Sequence, residues 1–194
     1  MCIRDRFFDV LTEFGTATGI EPDAALVSES GRASGRIAIR PFDTTFQPDR
    51  HYDLILFLDV LEHLPDPVAA LRHARTLLAP GALVLVTVPA FKSLWTAHDD
   101  WNYHRTRYTR ATLIAEMTQA GLKPLESFYF FQWVAPVKLG VRAVESLRRG
   151  PAGPATVPPA PINEALYRLS RLEARTVTRL RLPFGSSVCA VATG

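Results

Sequence analysis

The sequence predicts an α/β fold: a mostly parallel sheet with an antiparallel edge strand. Three observations predict it. Leu54 to Leu58 is a five-residue apolar run, bounded by polar residues and too short for a typical helix. Such a run suits a strand buried on both faces of a parallel sheet. Strand-like runs of this kind then alternate with helical-period segments of about ten residues, which implies right-handed crossovers between parallel strands. Finally, Ser186 to Ala192 offers a closing strand free to return antiparallel to the sheet edge.

The elements follow in order. Phe7, Val10, Leu11 and Phe14 fall at helical spacing, and Gly15 can supply a left-handed cap. Thr16 to Ile20 reads as a short strand ending in Glu21-Pro22-Asp23, with Asp23 placed to cap a brief helix. Arg36 to Arg40 alternates like a strand and ends at Pro41-Phe42-Asp43. The Leu54–Leu58 strand stops on Asp59, Glu62 and His63, and a carboxylate at a strand's C-terminal end lies where open α/β sheets bind ligands. Asp66-Pro67 then starts a helix, with a capping carboxylate and a proline in the first turn. That helix carries Val68, Leu71 and Leu78 on one face and is stopped by Pro80-Gly81. Ala82 to Val88 is a buried strand closed by Pro89. Thr109 caps a helix with Leu113, Ile114 and Met117 inward, ended by Gly121, and Lys123 to Phe131 is strand-like again. Arg148 to Pro161, rich in proline, glycine and alanine, reads as a flexible loop. Ile162 to Leu180 is an amphipathic basic helix with Leu166, Leu169 and Leu172 near one face.

A chain of 194 residues is expected to make one domain over 1–194 with a real core. Hydrophobic residues at 47% and charged ones at 21% are ordinary for a soluble globular protein. Cys2 and Cys189 lie far apart and make no metal-ligand pair, and the N-terminus has no apolar signal core, so a reducing cytoplasm is expected. The net charge of +3 is mild and the arginines lack aromatic interleaving, so no nucleic-acid partner is expected.

The succession TGIEPD, PFD, DLILFLDVLEHL and LLAPGALVLVTVPA resembles class I S-adenosylmethionine-dependent methyltransferases, within them the small-molecule group carrying a D-x-L-E-H segment. HDDWNYHRTRYTRATLIAEMTQAGL and LPFGSSVCAVA resemble the same group, so the likeness runs from Arg6 onward. It implies a Rossmann-like sheet and S-adenosyl-L-methionine as cofactor. It also implies a first central strand and a glycine-rich loop directly before a helix like Phe7–Phe14. Met1 to Asp5 is neither an apolar strand nor glycine-containing. The expectation is therefore an N-terminally truncated sequence, with 1–5 outside the fold and that strand and loop lacking. Such a chain would fold poorly or be inactive alone.

The resemblance implies a cofactor role for several residues. Glu21 would accept hydrogen bonds from ribose hydroxyls, although a dinucleotide enzyme uses the same acid. Asp43, with Thr44 beside it, would meet the adenine amino group, or Asp43 is simply a turn former. Leu58 and Asp59 would line the cofactor-facing exit of their strand. Glu62 and His63 either cap and orient the turn before Pro65 or, with Asp59 and His98 or His104, hold a divalent ion, as in some relatives; no metal is expected.

Trp95 to Tyr108 is the substrate-side candidate or a surface lid. His63, His98 and His104 are candidate bases for a hydroxyl acceptor, with Asp99 a further one. Arg105, Arg107 and Tyr108 would bind an anionic group. The sulfonium of the cofactor activates the methyl, so alignment and water exclusion supply most of the acceleration. Phe128 to Leu147, dense in apolar residues beside the basic helix, is a greasy channel, a membrane-surface contact, or a core strand followed by a lid or dimer helix. The acceptor is thus a small molecule, lipid-linked or quinone-like in the first two readings. The alternative function is a non-catalytic adenosine-cofactor binder of the same fold.

Overall fold

The computed structural model describes residues 10–24, 27, 35–147, 159–176 and 180–194, which divide into two units, Met1–Asp49 and Arg50–Gly194. Expectations on Met1 to Asp5, the first three residues of the Phe7–Phe14 helix and most of the Arg148–Pro161 loop lie outside the described residues. In the first unit, β1 (Gly19–Glu21) and β2 (Ile37–Ile39) pair in parallel, Gly19 opposite Ile37 and Glu21 opposite Ile39. Both lie where the sequence predicts strands.

The second unit is built on four strands. Strand β3 (Tyr52–Leu58) leads through α1 (Pro67–Thr76) to β4 (Leu78–Pro89), its parallel neighbour. Asp66 caps α1 as the sequence predicts, its Oδ1 accepting the Ala69 N–H at 2.9 Å. The helix ends earlier than expected. Leu77 is its C-cap and Leu78 already belongs to β4, so the buried face is Ala70, Leu71 and Ala74. Beyond β4 come the short α2 (Ala97–Trp101), α3 (Arg110–Gln119) and β5 (Lys123–Phe130). On α3, Leu113 and Met117 are fully buried, while Ile114 stays half-buried. Two helices, α4 (Val134–Leu147) and α5 (Ala160–Arg175), precede β6 (Ser187–Thr193).

The strand order is β3-β4-β6-β5, with β6 antiparallel to both neighbours. The antiparallel strand thus enters one position in from the edge, and β5 is the edge. Composition explains the choice. SVCAVAT carries no charge and buries Val188, Cys189, Ala190 and Ala192, as an inner strand must. KPLESFYF carries Lys123, Pro124 and Glu126, residues that protect an edge against further pairing. At the centre, Val84, Val86 and Val88 of β4 are fully buried, each contributing roughly 1.5–3 kcal/mol.

β3 differs from its expectation. In the four-stranded sheet it pairs with β4 alone, so it is the other edge. Leu54 is 45% exposed and only Phe57 is buried, whereas burial on both faces was predicted. An apolar run signals affinity for a sheet, but not the number of neighbours the strand finds.

Candidate functional site

The site of the second unit starts where β3 ends. Asp59 has a left-handed backbone, φ 51°, which costs a non-glycine residue roughly 1 kcal/mol or more. Phe91, two residues past β4, shares it at φ 54°. Such outliers at adjacent strand exits point to a functional constraint. After Asp59 the chain makes one 3₁₀ turn, Leu61–His63, without a side-chain capping bond. Glu62 therefore does not serve the capping role considered for it. It is fully buried, and neither carboxylate oxygen has a hydrogen-bond partner among the described residues. Burial, with Asp59 and Asp99 adding to it, pushes its carboxyl up to about 8 against the pull of its own backbone amide and Arg107.

The opposite wall is organised by Asp99. Thr96 and Asp99 form a capping box at the start of α2, with Asp99 Oδ2 accepting the Thr96 N–H at 2.9 Å. Arg107 donates to both oxygens, Nε to Oδ1 at 2.8 Å and Nη2 to Oδ2 at 3.0 Å. Its Nη1 donates to the Ala90 carbonyl at 2.8 Å. This fork-to-fork pair is buried, and the His104 imidazole joins it through Nδ1 at 2.8 Å from Asp99 Oδ1. Burial alone would push the Asp99 carboxyl up. The bonds from His104, Arg107 and Thr96 overcome it and hold the group well below the ordinary carboxylate range.

A carboxylate at Nδ1 places the His104 proton there and leaves Nε2 as the basic nitrogen. His104 then meets His63 edge to face, ring centroids 4.8 Å apart. Ligand-type atoms of Glu62, His63 and His104 all lie within 4.8 Å of one another. Burial and the neighbouring His104 push the His63 imidazole below its ordinary value, which favours the neutral ring. Asp59 keeps exposed surface, yet the surrounding protein still pushes its carboxyl up, with His104 and Lys138 pulling it back.

Of the expected bases, His63 and His104 are thus brought together, with Asp59 in electrostatic range. His98 sits on the exposed side of α2, where the Asn102 amide is 2.9 Å from its Nε2. Asp99 is committed to Arg107 and His104, so it orients groups and is no base. Arg107 and Tyr108 are buried and cannot take an external anion, in contrast to the expectation. The sequence reading missed Lys138 on α4. Burial, then Arg107, lowers its ammonium against the opposing pull of Asp99 and Asp59. A lone lysine in the apolar run VAPVKLGV was the available signal.

The remaining expected cofactor residues lie at strand ends. Glu21 closes β1, and its Oε1 accepts the Asp23 N–H at 3.2 Å. Asp43 Oδ1 accepts from the Thr45 N–H at 2.9 Å and from its hydroxyl, the turn-forming geometry, beside exposed Thr44. Leu58 is half-buried at the end of β3. Taken separately, half-buried Glu21 in the first unit and Asp59 in the second each present a carboxyl group, the acceptor chemistry that the hydroxyls and the amine of an adenosine–amino acid cofactor call for.

Strand-end carboxylates on a mostly parallel α/β sheet define a nucleotide-cofactor fold. Residues 2–127 match the family described as the methyltransferase domain, well over half the chain. The chain belongs to that family and is a class I S-adenosyl-L-methionine-dependent methyltransferase. Solved structures agree on the fold. A SAM-dependent methyltransferase from Archaeoglobus fulgidus is similar at TM-score 0.60 and 14% identity, covering 100% of this chain and 83% of that one. An S-adenosylmethionine-dependent methyltransferase from Clostridium acetobutylicum reaches 0.55 at 9% identity, over 95% and 78%. No curated protein matches.

Proposed function

We propose that this protein methylates a hydroxyl-bearing small-molecule acceptor, with the His63–His104 pair removing the acceptor's proton. S-adenosyl-L-methionine, when bound, supplies a methyl group already activated by its sulfonium. Glu21, Leu58 and Asp59 would hold it, with Asp43 and Thr44 as further contacts. The protein's own part is to align the acceptor, exclude water and accept one proton. His104 Nε2 accepts that proton. Asp99, fixed by Arg107, holds the ring and stabilises the imidazolium that forms. The 2.8 Å bond between Asp99 and His104 Nδ1 carries this reading.

Val137, Val141 and Val144 project from α4 with exposures of 54%, 45% and 48%. This supports a lipid-linked or quinone-like acceptor and a peripheral membrane contact. Among the described residues, no helix is long and apolar enough to cross a membrane. A product screen by mass spectrometry tests the reading: a one-methylene gain on a hydroxyl acceptor, lost in His104→Gln, is expected. Cofactor binding without any methylated product would instead leave a non-catalytic binder.

A second reading is favoured by the cluster itself. Glu62, His63 and His104 present one carboxylate and two imidazoles at ligand spacing, and Asp99 behind His104 is the usual outer partner of a metal-bound histidine. In that reading a divalent ion takes the place of the base.

A further inference from the structure

We propose that the cleft between α2, the loop after β4 and α4 is the acceptor's anchoring site, and that it takes the oxyanion of a carboxylate or phosphate. This rests on the methyltransferase reading above and names the substrate class for it. The cleft measures about 670 Å³, within the size range of small-molecule sites, and its lining includes Lys92, Trp95, Asp100, Arg105 and Arg142.

Three cations face one carboxylate, and that carboxylate is engaged. Asp100 Oδ1 accepts the Trp95 indole N–H at 2.9 Å. Both guanidinium groups are anchored by one edge. Arg105 donates from Nε to the His63 carbonyl at 3.1 Å. Arg142 donates from Nη1 to the Ser93 carbonyl at 2.6 Å and the Lys92 carbonyl at 3.2 Å. Their other N–H groups take no partner among the described residues. A guanidinium held at one edge is preorganised to offer the other to a planar or tetrahedral oxyanion. Lys92 adds a point charge, and its side chain makes no hydrogen bond among the described residues. Half-buried Trp95 offers an apolar surface to the rest of the ligand.

The cleft also adjoins the chemistry. Arg105 is anchored on His63 itself, its backbone N–H donates to the Glu62 carbonyl at 2.8 Å, and His104 precedes it in the chain. A ligand held by Arg105 and Arg142 would therefore extend toward the histidine pair. The anionic end binds, and the other end carries the nucleophile.

The test is calorimetric titration of the full chain with benzoate, phenyl phosphate, neutral benzyl alcohol and inorganic phosphate. The two aromatic anions are expected to bind at least about tenfold tighter than benzyl alcohol, roughly the effect of one charge-assisted hydrogen bond. Lys92→Glu removes no structural contact, so it should weaken the anions about tenfold with an unchanged melting temperature. Arg105→Ala should weaken them at least as much, Arg105→Lys less, and exposed Arg168→Ala on α5 not at all. Benzyl alcohol binding as well as benzoate, or Lys92→Glu and Arg105→Ala both without effect, overturns the proposal. Inorganic phosphate binding as tightly as phenyl phosphate would mean a free-phosphate site and overturns it too. S-adenosylhomocysteine is titrated in parallel. Intact anion binding without cofactor binding sinks the methyl-transfer reading and leaves the anion site standing.

Discussion

Asp99 and His104 share a 2.8 Å hydrogen bond through Nδ1, and that bond fixes which nitrogen of the ring beside His63 carries the proton. The same carboxylate neutralises Arg107, so one buried side chain fixes a tautomer and a charge together.

Asp99→Asn separates the two roles. An amide cannot accept from both partners on two charged edges, so Arg107 is left buried with its charge unmatched. A stability loss of roughly 3–5 kcal/mol is expected in urea unfolding. His104→Gln leaves the Asp99–Arg107 pair in place and should cost much less stability, while lowering kcat by about 10²- to 10⁴-fold if His104 is the base. Equal stability losses in the two variants would contradict this division. Nitrogen NMR of the imidazole should show the proton on Nδ1 in the native chain and a shifted tautomer balance in Asp99→Asn.

Glu62 makes stability depend on pH. Its folded-state value of about 8 lies above the ordinary 4.5, so the folded state holds a proton that the unfolded state has released across that window. Stability from this group is then fully present below about pH 4.5, declines as pH rises, and is gone above about 8. Denaturant melts of metal-free protein at pH 6 and 9 should differ in that direction by more than those of Glu62→Gln, whose side chain cannot ionise. A flat profile in the native chain would show the carboxylate to be solvated.

Chelation separates the two readings of the cluster. With base catalysis, excess chelator leaves turnover unchanged. With a metal in place, turnover falls and is restored by manganese, magnesium or zinc. Metal-free protein titrated with zinc should then raise its melting temperature, and His63→Ala should remove that rise.

Much of this was legible in the sequence because the signals are local. The Asp66-Pro67 start, the Thr109 cap and the apolar runs of β3 and β4 each depend on neighbours within a few residues. Asp59, His63 and His104 were also readable as candidates, since strand ends and loops carry chemistry. What failed to show was pairing across distance. Nothing in HRTRY says that Arg107 turns inward to Asp99 while Arg105 stays out. Nor does periodicity reveal that Lys138, 79 residues from Asp59, feels its charge. On α5, Leu166, Leu169 and Leu172 suggested the inward face, but Leu169 and Leu172 are exposed and Glu173 is buried. Glu173 turns inward because its carboxylate answers the Gln132 and Trp133 amides, partners 41 and 40 residues away that periodicity does not show.

Gly185 is fixed by close approach. A Cβ there would lie 2.4 Å from the Phe130 carbonyl oxygen and 3.0 Å from its nitrogen, both backbone atoms that cannot swing aside. Gly185→Ala should destabilise by about 1–3 kcal/mol by forcing β5 away from the start of β6. Amide exchange should quicken first at Ser186, whose N–H donates to the Phe131 carbonyl at 3.1 Å.

Glu173 joins α5 to the start of α4. Its Oε1 accepts the Gln132 N–H at 3.0 Å and its Oε2 accepts the Trp133 N–H at 3.2 Å, in a position only 5% exposed. The first amides of a helix lack partners within it, and a carboxylate there also meets the positive end of the helix dipole. Glu173→Ala removes both acceptors and should cost roughly 2 kcal/mol or more. Glu173→Gln is the sharper experiment. Its single carbonyl can accept from one amide, but its NH₂ then faces the other donor, so it should recover less than half of the loss. Hydrogen exchange at Gln132 and Trp133 reports the outcome directly. Both amides should lose protection in Glu173→Ala and one in Glu173→Gln. Unchanged protection in both variants would show that α4 keeps its start without α5.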